Sequence, residues 1–348
     1  MVDKAPTESA SQISSSSPCA AALTSGIICA AANDEGLRLL RQRGFSGAVV
    51  VEDVRTGALV AYASLPTVAV KNAGEIRGSA LEVTSPILPL SVSKVFLAAS
   101  WWDNGASASK ACGSTTCMSD GEVHEMLVSG SDSVGKKSAL ELRKAVGGEK
   151  VLKDLNAYGF PADVANQSVT DEHFWGFIEP ALRDKLIPAS AYVLVKSDAA
   201  DEDWASAFSI GESGFRVTLL HISQFMQTVG NGGVMIAPSA RIHLSASAGK
   251  TLEKRAMQAS TARRLQSAML DNVQRGTALG IRGRMGEKWK IGGKTGTNSD
   301  PDGIFAGLVF DESAVPRYAF ATYIKLGGKG GGVAAEVSAD LVKFIVGN

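Results

Sequence analysis

The sequence lacks an excess of charge of either sign. Lysine plus arginine and aspartate plus glutamate each number 35, so the formal net charge is zero. Aromatic residues make up only 6% of the chain, and no basic run interleaved with aromatic residues occurs. We therefore expect no nucleic-acid partner and no electrostatic attraction to polyanions or membranes.

Long apolar runs are also missing. No stretch of about 18 uncharged apolar residues occurs, so the chain as given is not expected to span a membrane. Residues 1–18 are rich in serine, which predicts a disordered lead-in. Residues 19–32 are weakly apolar, but their small side chains and serine-rich flank argue against a signal sequence. We expect a mature chain from which an export signal or membrane anchor has been removed.

Cysteine and histidine are scarce, with four of each. The spacing of Cys112 and Cys117 suits a loop closed by a disulfide, which would imply an extracytoplasmic compartment; four free thiols are the alternative. No histidine lies near a cysteine, so we expect no metal site.

What the sequence does contain is a serine and a lysine one helical turn apart. Ser91 and Lys94 lie on the same face of a predicted helix, whose next residues, 95–99, are apolar. This pair supplies a nucleophile and a candidate base without a histidine. The same spacing recurs at Ser107/Lys110, Ser133/Lys136 and Ser247/Lys250. Only the first pair begins an apolar helix, and we therefore select it.

A lysine acts as a base near neutral pH only if its pKa is lowered. Near neutrality it must lose about 3 pKa units from its reference value, roughly 4 kcal/mol, which burial and a second cation can supply. Lys294 is a candidate for that cation, because it follows an apolar strand. After it, Thr295 and Thr297 offer hydroxyl donors, and Gly296 leaves room for a ligand to approach the strand edge.

Strand and helix patterns predict an α+β fold. Strand-like runs occur at 47–52, 58–64, 288–293, 304–310 and 318–325, and the longer helical patterns are 217–229, 253–274 and 334–346. Strands near both chain ends with helices between them predict one antiparallel sheet built from both ends. We expect flanking helices and an inserted all-helical lobe.

Ser91-x-x-Lys94 followed by Lys294-Thr295-Gly296 resembles the active-site-serine penicillin-binding protein and β-lactamase superfamily. The resemblance is closest to the penicillin-binding protein transpeptidase domain and covers roughly residues 40–348. Its further supports are the stretches 47–64, 215–238, 276–278 and 332–335. The resemblance implies a lead-in over residues 1–35 and a transpeptidase domain over 36–348. Within it, 36–90 and 211–348 would form an α/β lobe, and 91–210 the helical lobe.

The middle motif departs from the family. The best match to the expected Ser-x-Asn is Ser131-Asp132-Ser133, which places Ser133 where the family has asparagine. By resemblance, Ser131 would relay a proton and Ser133 would contact substrate. A serine reaches less far than an asparagine and offers fewer donors. Ser129-Gly130-Ser131 is a second possible register, and a merely polar loop is the alternative for Ser131.

The resemblance implies an acyltransferase that acts on D-Ala-D-Ala peptidoglycan stem peptides and binds β-lactam antibiotics. Ser91, Lys94, Ser131 and Lys294 would be catalytic, and Ser133, Thr295, Gly296 and Thr297 would bind substrate. It implies no metal and no organic cofactor. It also implies an extracytoplasmic location, in the periplasm or cell envelope. Whether the full-length protein has a membrane anchor is left open. A serine β-lactamase and a degenerate scaffold or β-lactam sensor are the alternatives.

Two further residues are set aside. Glu179 lies in a stretch similar to the deacylating loop of class A β-lactamases, but Arg183 breaks that pattern and we interpret the match as coincidence. His221 lies within an apolar helix and is predicted to pack in the core.

Overall fold

The computed structural model describes residues 17–25, 28–65, 87–109, 118–160, 208–211, 216–236 and 253–347. The helices are α1 (Ala20–Ser25), α2 (Ala30–Arg43), α3 (Ser93–Asp103), α4 (Asp120–Ser129), α5 (Asp132–Val146), α6 (Gly148–Ala157), α7 (Leu219–Gly230), α8 (Ala259–Arg275) and α9 (Val333–Val346). The strands are β1 (Gly47–Asp53), β2 (Leu59–Leu65), β3 (Val234–Ile236), β4 (Glu253–Arg255), β5 (Lys290–Thr297), β6 (Gly303–Phe310) and β7 (Pro316–Ile324).

The main sheet joins the two ends of the chain, as predicted. Its five described strands follow the order β2-β1-β7-β6-β5, and all neighbours are antiparallel. Side chains alternate between its faces. Val50 belongs to one apolar core, which includes α7, whereas Val49 and Val51 belong to a second, which includes α2 and α9. Because helices cover both faces, the strands contain few polar residues.

Helix α3 is surrounded on all sides. Ten of its eleven residues are buried, Asp103 being the exception, and it contacts α4, α5, α6 and α8. A helix that is apolar around its whole circumference requires such neighbours. The serine–lysine helix is therefore the centre of the helical group, and α8 connects that group to β5 of the sheet. The α+β architecture is confirmed.

The sequence pattern places the start of one helix too early. The pattern over residues 253–274 predicts a single helix, but Glu253–Arg255 forms β4, which pairs antiparallel with β3. Gln258 has extended backbone angles, and α8 begins only after it. The glycine turn after α7 brings β3 beside this segment, and the Ala256 N–H donates to the Gly233 carbonyl at 2.9 Å. This tertiary pairing overrides the local helical pattern.

Within the predicted lead-in, the described residues 17–25 and 28–35 include α1 and the start of α2. Cys19 and Cys29 form a disulfide and are both buried in the second core, so the alternative of four free thiols is wrong. Cys112 and Cys117 lie outside the described residues. Within the described ranges, no helix is long and apolar enough to cross a membrane.

Candidate active site

A strained turn leads into the serine–lysine helix. Residues Leu90–Val92 form a 3-10 turn, and Leu90 adopts φ 53°. This left-handed conformation costs a leucine about 1–2 kcal/mol. The backbone of Gly211 packs against Leu90, whose N–H donates to the Gly211 carbonyl at 3.3 Å. The turn thereby fixes Ser91 at the start of the helix, where it is partly exposed.

Ser91 and Lys94 meet as their spacing predicts. Lys94 Nζ lies 2.7 Å from Ser91 Oγ and 2.6 Å from Asp132 Oδ1. The Lys94 side chain is fully buried, whereas that of Asp132 is 63% exposed. A hydroxyl within hydrogen-bond distance of a buried amine is the arrangement that activates a serine nucleophile. The contact with Asp132 is absent from the sequence-based prediction.

Gly135 creates the space for the Lys94 side chain. A β-carbon at position 135 would lie 2.8 Å from Lys94 Cε, which is closer than a side chain tolerates. The lysine stem therefore passes beneath α5 where that helix has no side chain. Its Nζ emerges one turn earlier, beside Asp132 at the first position of the helix.

The Lys294-Thr295-Gly296 motif lies inside β5, not in a turn after it. Strand β5 is at the edge of the described sheet and pairs only with β6 there. Gly296 packs against the serine turn, since a β-carbon there would lie 2.8 Å from Leu90 Cβ and 3.3 Å from the Ser91 nitrogen. The open edge of β5 therefore lies beside Ser91, and the region that they border is called the cleft below.

Lys294 brings a second amine to this cleft. Its side chain is buried, and Nζ donates to the Thr295 carbonyl at 2.9 Å. Burial and, to a smaller extent, the Lys94 charge lower the pKa of Lys294 to about 7, and the Asp132 charge opposes the shift. A β-carbon at position 130 would lie 3.7 Å from Lys294 Nζ. Lys294 thus lies beside the turn between α4 and α5, close to its protonation midpoint near neutrality.

The predicted middle motif lies at the start of α5. Ser131 caps that helix, its Oγ accepting from the Val134 N–H at 3.3 Å, and lies 3.1 Å from Ser133 Oγ. Ser131 thus lies between Gly130, which is close to Lys294 Nζ, and Asp132, which contacts Lys94 Nζ, while Ser133 contacts Ser131. Proton relay by Ser131 stays a prediction.

Comparison with known proteins places the chain in a family. A family model for the penicillin-binding protein transpeptidase domain matches residues 140–343, more than half of the chain. The chain belongs to this family. The matched region includes Lys294 and Thr295 but begins after Ser91 and Lys94, so the selection of those two residues rests on their spacing and geometry. A search of curated proteins finds no significant match.

Solved structures of penicillin-binding proteins share the fold. Penicillin-binding protein A from Mycobacterium tuberculosis is 18% identical, with a TM-score of 0.66 over 91% of this chain and 79% of that one. Its imipenem acyl-enzyme complex gives 17% identity and a TM-score of 0.69, over 91% and 78%. The D,D-transpeptidase domain of a peptidoglycan glycosyltransferase from Eggerthella lenta is 20% identical, with a TM-score of 0.63 over 90% and 80%.

In this transpeptidase domain, Asn272 of α8 connects the two walls of the cleft. Its buried Nδ2 lies 3.0 Å from the Leu127 carbonyl, 2.9 Å from the Val128 carbonyl and 2.9 Å from Thr277 Oγ1. Thr277 Oγ1 in turn lies 2.6 Å from Thr295 Oγ1. The end of α4, just before the middle motif, is thereby tied to the Lys-Thr-Gly strand. Sequence patterns missed Asn272 because these contacts are tertiary.

We expect Asn272→Ala to destabilise the domain and slow reaction at Ser91. The Leu127 carbonyl and Thr277 Oγ1 lose the Asn272 donor, and the Val128 carbonyl keeps only the Thr277 N–H at 3.3 Å. We expect a cost of about 2–3 kcal/mol of unfolding free energy. Without Asn272, Thr277 is held less firmly, and so is Thr295, whose Oγ1 contacts Thr277 Oγ1. We therefore expect acylation by a penicillin to slow about tenfold. Thermal unfolding and acylation rates of folded protein measure the two effects.

Gln266→Ala provides the matched control on the same helix. Gln266 Nε2 donates to the Val229 carbonyl at 2.7 Å, away from the cleft. We expect this variant to lose about 1 kcal/mol or less and to react at the wild-type rate. A folded Asn272→Ala protein that also reacts at the wild-type rate would show that Asn272 does not position Thr295.

Two residues, His221 and Glu179, were given no catalytic role. His221 is buried and caps its own helix, its Nδ1 accepting from the Thr218 N–H at 3.2 Å, which confirms the prediction of a core residue. Glu179, Lys110 and Ser247 lie outside the described residues. In the described part of the chain, no group of histidine, cysteine and acidic side chains is arranged to hold a metal ion.

Proposed function

We propose that this domain is a serine acyltransferase that acts on D-Ala-D-Ala-ended peptidoglycan stem peptides. The observation that carries the proposal is the 2.7 Å contact between Ser91 Oγ and Lys94 Nζ, opposite the Lys294 strand. Membership of the transpeptidase family supports the choice of substrate class.

In the proposed first step, Ser91 Oγ attacks the carbonyl carbon of the penultimate D-alanine while its proton passes to Lys94 Nζ. Collapse of the tetrahedral intermediate breaks the bond between that carbon and the amide nitrogen. The proton reaches the departing nitrogen through Ser131, beside Lys294, and D-alanine leaves as the neutral amine. An acyl ester on Ser91 remains.

The remaining residues bind substrate and stabilise charge. The Ser91 and Thr297 N–H groups would donate to the developing oxyanion, an effect worth about 3 kcal/mol for one donor in related chemistry. Thr295 and Thr297 would bind the terminal carboxylate, with Ser133 contacting the peptide. Gly330 N–H donates to Thr297 Oγ1 at 2.9 Å, which leaves the Thr297 hydroxyl hydrogen available for that carboxylate.

Transfer of the acyl group to an amine would cross-link two stems, and transfer to water would trim one. We propose the D,D-transpeptidase or D,D-carboxypeptidase reaction without choosing between them. β-Lactams would acylate the same serine; structures of similar proteins include imipenem and ceftriaxone acyl-enzyme complexes.

We also propose an extracytoplasmic location, where peptidoglycan is built. The Cys19–Cys29 disulfide supports it, because disulfides persist in oxidising compartments. We further propose that residues 36–90 and 211–348 form the α/β lobe around the helical lobe of residues 91–210.

Labelling with a fluorescent penicillin tests the proposal. We expect one adduct per chain, mapped by mass spectrometry to the peptide that contains Ser91 and absent from Ser91→Ala. Ser107→Ala, which removes the serine of a competing Ser-x-x-Lys spacing, should label normally. No adduct on the native protein would contradict the acyltransferase proposal, and an adduct that persists in Ser91→Ala would contradict the choice of nucleophile. Rapid turnover of a chromogenic cephalosporin would instead indicate a β-lactamase.

A further inference from the structure

We propose that Asp132 is the positioning residue for Lys94, whose Nζ lies 2.6 Å from Asp132 Oδ1. The inference rests on the proposed function and names a residue that the Ser-Lys spacing does not reveal. Asp132 acts by orienting Lys94 Nζ and does not itself take the proton of Ser91.

The start of α5 explains why Asp132, and not Ser133, reaches the lysine. Ser131 caps the helix, so Asp132 is its first residue and Gly135 lies one turn further on the same face. The space at Gly135 admits the lysine stem, which carries Nζ to 2.6 Å from Asp132 Oδ1. Ser133 Oγ instead lies 3.1 Å from Ser131 Oγ.

The Asp132 carboxylate can orient the lysine as a base. A neutral amine has two hydrogens and one lone pair. When one hydrogen is directed to Asp132 Oδ1, the lone pair is free to accept the proton of Ser91, whose Oγ lies 2.7 Å from Nζ. This is the arrangement of nucleophile, base and orienting carboxylate that catalytic triads use.

The same carboxylate stabilises the protonated ammonium after it has taken the proton from Ser91. Negative charge suits this position, because the first turn of a helix carries a partial positive charge. Lys294 of β5 interacts electrostatically with both Lys94 and Asp132. A like charge disfavours the charged form of its neighbour, and an opposite charge favours it. Asp132 and Lys294 therefore act in opposite directions on the charge of Lys94.

Two substitutions at position 132 separate orientation from charge. Asp132→Asn keeps an oxygen acceptor but removes the charge, and Asp132→Ala removes both. The measurement is the second-order rate constant of acylation by a fluorescent penicillin as a function of pH, on the full chain.

We expect the rise of the acylation rate with pH to move to lower pH by about one unit in both variants, because the lysine loses its counter-charge. The plateau rate at high pH should stay near the wild-type value in Asp132→Asn and fall about tenfold or more in Asp132→Ala. Glu149→Gln, a carboxyl-to-amide change at an exposed site on α6, should leave the profile unchanged.

A pH profile in both variants that coincides with the wild-type curve would overturn the proposal, even if both proteins were less stable. A plateau that Asp132→Ala retains would overturn the orienting role. Failure of the wild-type protein to form any adduct would instead contradict the proposed function itself.

Discussion

Replacing Lys94 by methionine is expected to slow acylation of Ser91 about a thousandfold or more while leaving the fold intact. The lysine stem is fully buried next to apolar residues of α3, and methionine fills a similar volume without a charge. Removing a buried amine relieves a desolvation cost, so we expect no loss of stability. Asp132 loses its partner, but its side chain is 63% exposed and water can solvate it.

The size of the effect follows from the role of the Lys94 amine as the base for Ser91. Proton transfer by a positioned base contributes about 10²–10⁴-fold, and a nucleophile without its base loses most of the benefit of the pair. Acylation rates with a β-lactam and with a D-Ala-D-Ala thioester measure the loss, and thermal unfolding checks the fold.

Lys136→Met is the matched control for this substitution. Lys136 is exposed on α5, one turn after Ser133 in a competing Ser-x-x-Lys spacing. We expect wild-type acylation from this variant. A Lys94→Met protein that reacts within about tenfold of the wild type would show that another group, with Lys294 the nearest candidate, takes the serine proton.

The parts of the site that depend on local spacing could be predicted from the sequence. Ser91 and Lys94 meet because a helix places residues three apart on one face, and the apolar residues that follow predict a buried helix. The β-branched run at 47–52 and the second strand-like run at 58–64 predict β1 and β2. Alternation along them is unnecessary because both faces of the sheet are covered.

The parts that depend on tertiary packing could not be predicted in this way. Asp132 reaches Lys94 because α5 crosses over the lysine at Gly135, and no periodicity in the sequence encodes that crossing. Asn272 is polar in an otherwise ordinary amphipathic helix, and only the packing of α8 against α4 reveals its acceptors. Pairing of Cys19 with Cys29 likewise required the fold.

Glu52 is expected to make the stability of the domain fall as pH rises from about 4.5 to about 8. This glutamate lies in β1 at a register shift and is fully buried. Neither of its carboxyl oxygens has a hydrogen-bond partner among the described residues. Burial raises the pKa of Glu52 to about 8, and the nearby Ser223 hydroxyl opposes the shift.

The direction follows from proton uptake. An unfolded chain ionises Glu52 near its ordinary pKa of about 4.5, whereas the folded chain keeps the proton until about pH 8. Between these values the folded state binds more protons, so the unfolding free energy decreases with pH; below and above the window the contribution is constant. The total loss is on the order of 4 kcal/mol.

Glu52→Gln should remove this dependence, because glutamine has nearly the same shape and no proton to lose. At pH about 5 the variant should be no more stable than the wild type, and at pH about 9 it should be more stable by several kcal/mol. Denaturant unfolding across that pH range measures the difference, with Glu253→Gln, at an exposed position in β4, as the carboxyl-to-amide control. Parallel curves for wild type and Glu52→Gln would show that Glu52 is ionised in the folded protein, and that water or a partner outside the described residues reaches its carboxylate.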